Sequence, residues 1–397
     1  VSGVAVVASV TPSTTFNDRT TVVTLTGSRF VGATAITLGN PAATALTGVQ
    51  VLSDTSMRGT LPRGLAAGSY DLFVTTPQGT SAAGAVQITV RNLIDPDQAG
   101  AFAVGTLDTT IAGATGDRPA ARIYYPALSP GTGALPAADL APYPAVVFNH
   151  AFKPPIVSTG IDHRQYAYLC GWLASFGYVV ISTDLEQNTT LLGTAGSNAQ
   201  RDADDARAAL DDLAARTTTP GNPLFGMVDA QTAGTGGHSR GGDASLIACS
   251  DEAAARGANA RFKAVFVLGA PSFDPAAFGA RIALGNFTSV PCLAIGASKD
   301  TVVPIADQQD IFAQAGSPSG VFEIIGGNHS QYTDTGAQLL FDGTPTITLA
   351  TQQAICRRYV TSWFGYVLKG QTADFARFVP GGAVFQADAR LQNRASK

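Results

Sequence analysis

From about residue 120 onward the chain alternates near-continuous apolar runs with amphipathic stretches, and few architectures tolerate that order. The runs are "ARIYYPA", "YPAVVFNHAF", "GYVVISTDL", "DAQTAGTGGHS", "KAVFVLGAP", "VPCLAIGAS" and "GVFEIIGG". A strand that is apolar along its whole length has no face to offer water, so it belongs in a sheet covered on both sides. Helical periodicity falls between most of the runs, over residues 164–176, 199–215 and 241–255, and returns after the last run over 350–368. This order predicts a mostly parallel sheet flanked by helices. Ligands of such sheets sit at the carboxyl ends of the strands.

The first 91 residues follow another rule. Short β-rich runs recur there without helical period ("TVVTLTGSRF", "ATAITLGN", "VQVLSDTSMRGTLP", "SYDLFVTTPQG", "GAVQITV"), and Gly, Pro and Asn punctuate them. Alternation with turn signals predicts an antiparallel β-sandwich of roughly 85 residues. The mixed segment "RNLIDPDQAG" then reads as a linker. The expected division is a sandwich over 1–91, a linker over 92–98 and a second domain over 99–397.

Composition narrows the function. With 45% apolar and 14% charged residues, 43 Gly and 22 Pro, the chain reads as a well-packed, loop-rich protein. Its net charge of -4 is spread without long single-sign runs, so neither nucleic acid nor an anionic lipid surface is an expected partner. No segment reaches the roughly 18 apolar residues of a transmembrane helix. The chain begins without Met and without a basic-then-apolar leader, so a processed or trimmed start is expected. The four cysteines form no CxxC pair, which argues against zinc and dithiol redox chemistry. Each lies in an apolar run and is expected to be a buried thiol or, in an exported protein, part of a disulfide. Cys170 and Cys356, on helices expected to share a sheet face, are the first candidate pair.

"GHSRG", residues 237–241, fits G-x-S-x-G between a strand and a helix. In that motif the serine sits on a turn so sharp that its flanking positions must be glycine. A serine hydroxyl needs a base. Of the four histidines, His329 in "EIIGGNHSQY" follows the last strand and can reach over the sheet. His238 is expected to pack, His150 to serve structurally or hydrogen-bond the oxyanion loop, and His163 to cap a helix or face solvent. Asp300 in "CLAIGASKDTVVP" follows the penultimate strand and would orient the base; Asp274 is its rival, and Asp184 is read as structural. The order Ser239, Asp300, His329 is that of a known hydrolase triad. Oxyanion donors are expected from the backbone amides of Arg240 and Phe152, with Ala151 as runner-up to Phe152.

Two resemblances follow from these residues. "LTGSRF", "LGN", "GTLPRGLAAGSYDLFVTTPQG" and "VQITV" resemble the IPT/TIG immunoglobulin-like domain, which implies a spacer or binding unit without catalytic residues. Residues 99–369 resemble the α/β-hydrolase superfamily in the branch of cutinase-like polyester hydrolases, platelet-activating-factor acetylhydrolases, dienelactone hydrolases and chlorophyllases. The segments that carry this are "IYYP", "VVFNHAF", "WLASFGYVVISTD", "DADDARAALDDL", "GHSRGG", "PCLAIGASKDTVVP" and "GGNHSQY". The resemblance implies an α/β-hydrolase fold behind an all-β sandwich. It places the nucleophile on Ser239, the acid on Asp300, the base on His329 and the oxyanion aromatic on Phe152. Two departures stand out. Arg240 replaces the Met common in polyester hydrolases and offers a contact for an acidic substrate group or a neighbouring carboxylate. "APSF" puts Ser272 where those enzymes carry an aromatic clamp, leaving Phe152, Phe273 and Tyr332 as the expected acyl wall.

These readings lead to the expectation of a secreted or cell-surface serine esterase acting on carboxylic esters or polyesters through an acyl-enzyme, without metal or organic cofactor. A monomer is expected, with the N-terminal domain binding a polymer or cell surface or acting as a spacer. A lipase, acetylhydrolase, peptidase, acyltransferase or other acyl hydrolase on the same triad is the alternative, as is a catalytically idle scaffold serving binding or adhesion.

Overall fold

The computed structural model describes residues 3–17, 20–39, 44–91, 95–152, 162–184, 195–274, 280–281 and 290–397, without the side chains at 195–198, 273–274, 280–281 and 373–374. The chain divides into two compact units, Val1–Ile94 with Ala138–Leu140 and Asp95–Ala137 with Ala141–Lys397.

The first unit is a β-sandwich. One sheet orders Val6–Thr11, Thr21–Ser28, Ser56–Leu61 and Thr47–Ser53; the other orders Thr14–Phe16, Gln87–Arg91, Gly68–Thr76, Ala35–Gly39 and Thr44–Ala45. Alternate residues face inward, as the two-residue strand period requires. Val23, Leu25 and Met57 from the first sheet meet Ile36, Leu38, Leu72, Val74 and Ile88 from the second in one buried cluster.

The second unit holds a ten-stranded sheet. Its strands in chain order are β1 (Ala103–Thr110), β2 (Ala120–Ala127), β3 (Gly131–Thr132), β4 (Tyr143–Asn149), β5 (Val179–Thr183), β6 (Val228–His238), β7 (Phe262–Leu268), β8 (Pro291–Ala297), β9 (Gly316–Ile324) and β10 (Leu391–Ser396). Across the sheet they run β3-β1-β2-β5-β4-β6-β7-β8-β9-β10. The stretch from β5 to β9 is parallel, while β1, β2 and β10 add antiparallel margins. The sheet is thus mixed and mostly parallel. Chain order reverses at β4: the next strand, β5, lies on one side of it and β6 on the other. In open α/β sheets such a reversal marks the usual place for a ligand, here the carboxyl ends of β4 and β6.

Helices α1 (Ala167–Ser175) and α5 (Leu349–Val367) share one face. Val146, Phe148, Val180, Phe266, Leu268, Leu293, Ile295, Phe322 and Ile324 point into it at every second strand position and pack on Leu169, Leu173, Ile355, Tyr359 and Phe364. Burying such side chains contributes roughly 1.5–3 kcal/mol each. Helices α2 (Ala195–Thr218) and α3 (Arg240–Arg256) pack on each other and on β4 and β6, and α4 (Ile305–Gln314) lies against β8 and β9.

The cysteines follow the buried-thiol reading, and the Cys170–Cys356 candidate pair is corrected. Cys170 and Cys356 do sit on the paired helices α1 and α5, but all four cysteines are free and buried. Burial pushes the Cys356 thiol up to about 12, and it raises Cys170, Cys249 and Cys292 as well, so all four are held as neutral thiols.

Candidate active site

Ser239 stands between the last residue of β6 and the first of α3, with φ 54 and ψ -128. Among the described residues it is one of three non-glycine residues with positive φ, a conformation that costs about 1–3 kcal/mol and persists only where surroundings enforce it. The enforcement is visible. Ser239 N donates to Leu268 O on β7 at 2.9 Å, and Ser239 O accepts Gly242 N at 2.8 Å as the helix begins. A side chain at Gly237 would strike Gly241 and the Asn149 carbonyl, and one at Gly241 would strike the Asn149 and His150 carbonyls. The two glycines of the motif therefore let the β6–α3 turn press against the end of β4.

Asp300 and His329 come together from the ends of β8 and β9. His329 Nδ1 lies 2.8 Å from Asp300 Oδ2, and Asp300 Oδ1 accepts the amides of Val302 at 2.9 Å and Val303 at 2.7 Å. A carboxylate can only accept, so Nδ1 carries the proton and Nε2 is the basic nitrogen. The pair is almost fully buried. Gly269, with φ 52, lies against it: a Cβ there would sit 3.0 Å from Asp300 Oδ2 and 3.1 Å from His329 Nδ1.

The loop bearing His329 is clamped on both sides. Asn328 N donates to Gln352 Oε1 and Gln352 Nε2 donates back to Asn328 O, while Asn328 Nδ2 donates to Gly343 O. Ser330 donates through N and Oγ to Asp342 Oδ2, at 2.8 and 2.7 Å. Gln352 and Asp342 are supports that sequence reasoning missed. Both approach from elsewhere in the chain, and no motif marks them.

His238 links the serine to the base. Its ring centroid is 4.4 Å from that of His329, and its Nδ1 is 3.0 Å from Tyr166 Oη. Tyr166 Oη also accepts the Ala151 amide at 3.1 Å, so one hydroxyl ties the His238 ring to the chain just after β4. Burial, then the neighbouring His329 and His150, hold the His238 imidazole well below the usual histidine range. It packs as a neutral ring. Among the described residues no hydrogen bond joins Ser239 Oγ to His329 Nε2; catalytic hydrogen bonds of this kind commonly tighten only once substrate is bound.

The oxyanion candidates separate. Ala151 N–H is committed to Tyr166, whereas Phe152 N–H donates to no described residue. Arg240 N–H belongs to the first helical turn, whose amides the helix ladder does not use. The Arg240 side chain is buried against Asp202, with Nε and Nη2 each 2.9 Å from Asp202 Oδ2, and its guanidinium lies 4.9 Å from the Phe152 ring centroid. A neighbouring carboxylate, one of the contacts expected for it, is thus a partner of the Arg240 side chain.

The expected acyl wall is only partly present. Phe152 is 38% exposed. Tyr332 is corrected: it is fully buried, its hydroxyl donates to Ile295 O at 3.3 Å, and its ring backs His238 and His329. It supports the base and offers no surface to an acyl group. The Phe273 and Asp274 side chains lie outside the described residues; their backbone pairs with Ala280–Arg281. Ser272, at the clamp position, is buried and donates through N and Oγ to Asp307 Oδ1, at 3.0 and 2.6 Å.

His150 bonds the loop after β4, in keeping with the role expected of it, whereas His163, expected to cap a helix or face solvent, is buried instead. Both are buried: His150 Nδ1 contacts Ala151 O at 2.6 Å, and Asp184 lies 3.4 Å from His150 Nε2 and 4.0 Å from His163 Nδ1. Among the described residues no His, Cys, Asp or Glu cluster is arranged to hold a metal, and no helix is long and apolar enough to cross a membrane.

Comparison with known proteins assigns the N-terminal part. Residues 5–95 match the model of the IPT/TIG domain family. No curated protein matches the chain.

Proposed function

We propose that the chain is a serine carboxylic-ester hydrolase whose second unit has the α/β-hydrolase fold and works through an acyl-enzyme. The observation that carries the reading is the strained serine at the strand–helix junction, whose preceding residue, His238, packs at a tilt against a histidine already oriented by a buried carboxylate. Three loops from three parallel strands supply these groups, at the end of the sheet where ligands bind.

The chemistry follows from the donors and acceptors. Ser239 Oγ attacks the ester carbonyl carbon as its proton moves to His329 Nε2, and Asp300 steadies the imidazolium through Nδ1. Negative charge builds on the carbonyl oxygen, which the amides of Phe152 and Arg240 receive. The C–O bond to the alcohol breaks, the alkoxide takes the proton from Nε2, and the acyl group remains on Ser239. Water then attacks the acyl-enzyme by the same proton route, releasing the acid and restoring the serine. Ser272, tied to Asp307, supplies no aromatic face at the clamp position, which favours aliphatic over flat aromatic acyl groups.

The test is direct. Ser239→Ala removes turnover of p-nitrophenyl butyrate while the fold stays intact, and a serine-directed phosphonate labels Ser239 in the unmodified chain. Turnover retained in the variant, or a label found elsewhere, rejects the assignment.

A further inference from the structure

We infer that Arg240 and Asp202 are positioning residues that hold Phe152, so that one side chain ties together the two halves of the oxyanion site. The inference rests on the esterase reading, which makes Phe152 and Arg240 the amide donors. Arg240 is 7% exposed and Asp202 2%, so this is a buried ion pair. Both nitrogens that Arg240 sends to Asp202 meet the same oxygen at 2.9 Å, which fixes the plane of the guanidinium. That plane presents its cationic carbon to the Phe152 ring at 4.9 Å, within the range of a cation–π contact.

Phe152 needs such a hold. The residue before it is secured through its amide, by Tyr166, and through its carbonyl, by His150. Phe152 itself is 38% exposed, and its amide has no described acceptor. The contact from Arg240 therefore bears on the ring of the residue whose N–H would meet the oxyanion, while the Arg240 amide meets it from the other side. Asp202 lies on α2, which contributes no candidate catalytic group. The ion pair brings that helix into the site. Because oxyanion donors act on charge that develops in the transition state, loosening them lowers kcat and leaves KM nearly unchanged.

The experiment uses the full chain and two variants. Arg240→Met combined with Asp202→Asn removes both charges and so avoids stranding one of them in the interior. Arg240→Lys keeps the charge and loses the flat fork. The readouts are kcat and KM for p-nitrophenyl butyrate, thermal unfolding, and the fluorine resonance of 4-fluorophenylalanine placed at position 152. The neutral pair is expected to unfold within a few degrees of the parent, to lose about tenfold to hundredfold in kcat with KM held within about threefold, and to shift the fluorine resonance. Arg240→Lys falls between the two, and it decides the matter should the neutral pair not fold.

Unchanged kcat with an unmoved resonance overturns the inference. So does a raised KM at unchanged kcat, which makes Arg240 a substrate contact. If the parent chain turns over no ester, the esterase reading fails by itself, and the hold on Phe152 is judged by the fluorine resonance alone.

Discussion

His329 Nδ1 is hydrogen-bonded to Asp300 Oδ2 at 2.8 Å, and the other oxygen of that carboxylate is occupied by the Val302 and Val303 amides. The aspartate is thereby fixed by its own loop before it meets the histidine. Asp300→Asn separates the two roles. The amide oxygen can keep the Val302 and Val303 donors, so the loop stays folded. The amide nitrogen then faces His329 and forces Nδ1 to accept, which puts the proton on Nε2 and removes the base. We expect kcat for p-nitrophenyl butyrate to fall by about 10³–10⁴ at neutral pH, with circular dichroism unchanged. A loss under tenfold contradicts a role for Asp300 in setting the tautomer.

Gly269 and Gly226 form a matched pair for the next prediction. Both have positive φ, 52 and 73, but a Cβ at Gly269 meets Asp300, His329 and Tyr332, whereas one at Gly226 meets nothing within 4 Å. Alanine at either position costs about 1–2 kcal/mol of backbone strain. Only at 269 does the new methyl press on the histidine–aspartate pair. Gly226→Ala is expected to lower stability and keep turnover, and Gly269→Ala to lower both, as read from urea midpoints beside kcat. Equal turnover in the two variants would mean that the pair has room to yield.

What the sequence discloses depends on where each structural cause lies. Val146, Phe148, Val180 and Phe266 sit in runs buried on both faces, so the parallel strands could be read from apolar content alone. The marginal strands β1 and β10 were not foreseen, because half-exposed edges such as Leu391–Ser396 carry Gln, Asn and Arg in place of an apolar run. Helix α4 was missed for a similar reason: Asp and Gln fill its middle, and two of them, Asp307 and Gln308, are buried on specific acceptors or donors across the fold. At the candidate site, Ser239, Asp300 and His329 are identifiable because each lies in the segment that follows a strand. Their supports, Tyr166, Asp202, Gln352 and Asp342, act only through contacts made in three dimensions.

Buried histidines set a pH dependence of stability. His238 is held well below the usual 6.5 by burial first, with His329 and His150 adding to it, and burial also lowers His163. In the unfolded chain these rings take up protons as the pH drops through 6.5, and in the folded chain they resist. Their contribution is fully present above about pH 6.5 and is lost as pH falls toward the folded values, at up to about 1.4 kcal/mol per pH unit for each ring. His238→Asn, whose side-chain amide can pair with the Tyr166 hydroxyl as donor or acceptor, should flatten the fall in urea midpoint between pH 6.5 and 5. An unaltered slope would assign the effect to His163 or to other groups.

Ser239 allows strain and chemistry to be tested on one atom. Its φ of 54 and ψ of -128 burden any residue that carries a Cβ, so Ser239→Ala removes the hydroxyl and keeps the strain. Ser239→Gly removes both. Glycine relieves about 1–3 kcal/mol of strain and gives back about 0.5–1 kcal/mol through the greater freedom of its unfolded chain. Both variants should be inactive toward p-nitrophenyl butyrate, yet the glycine variant should unfold at a higher temperature than the alanine variant, by about 1–3 °C for a domain of this size. Were the two to unfold together, the turn would be unstrained, and the case for a backbone held under tension to present the hydroxyl would fall with it.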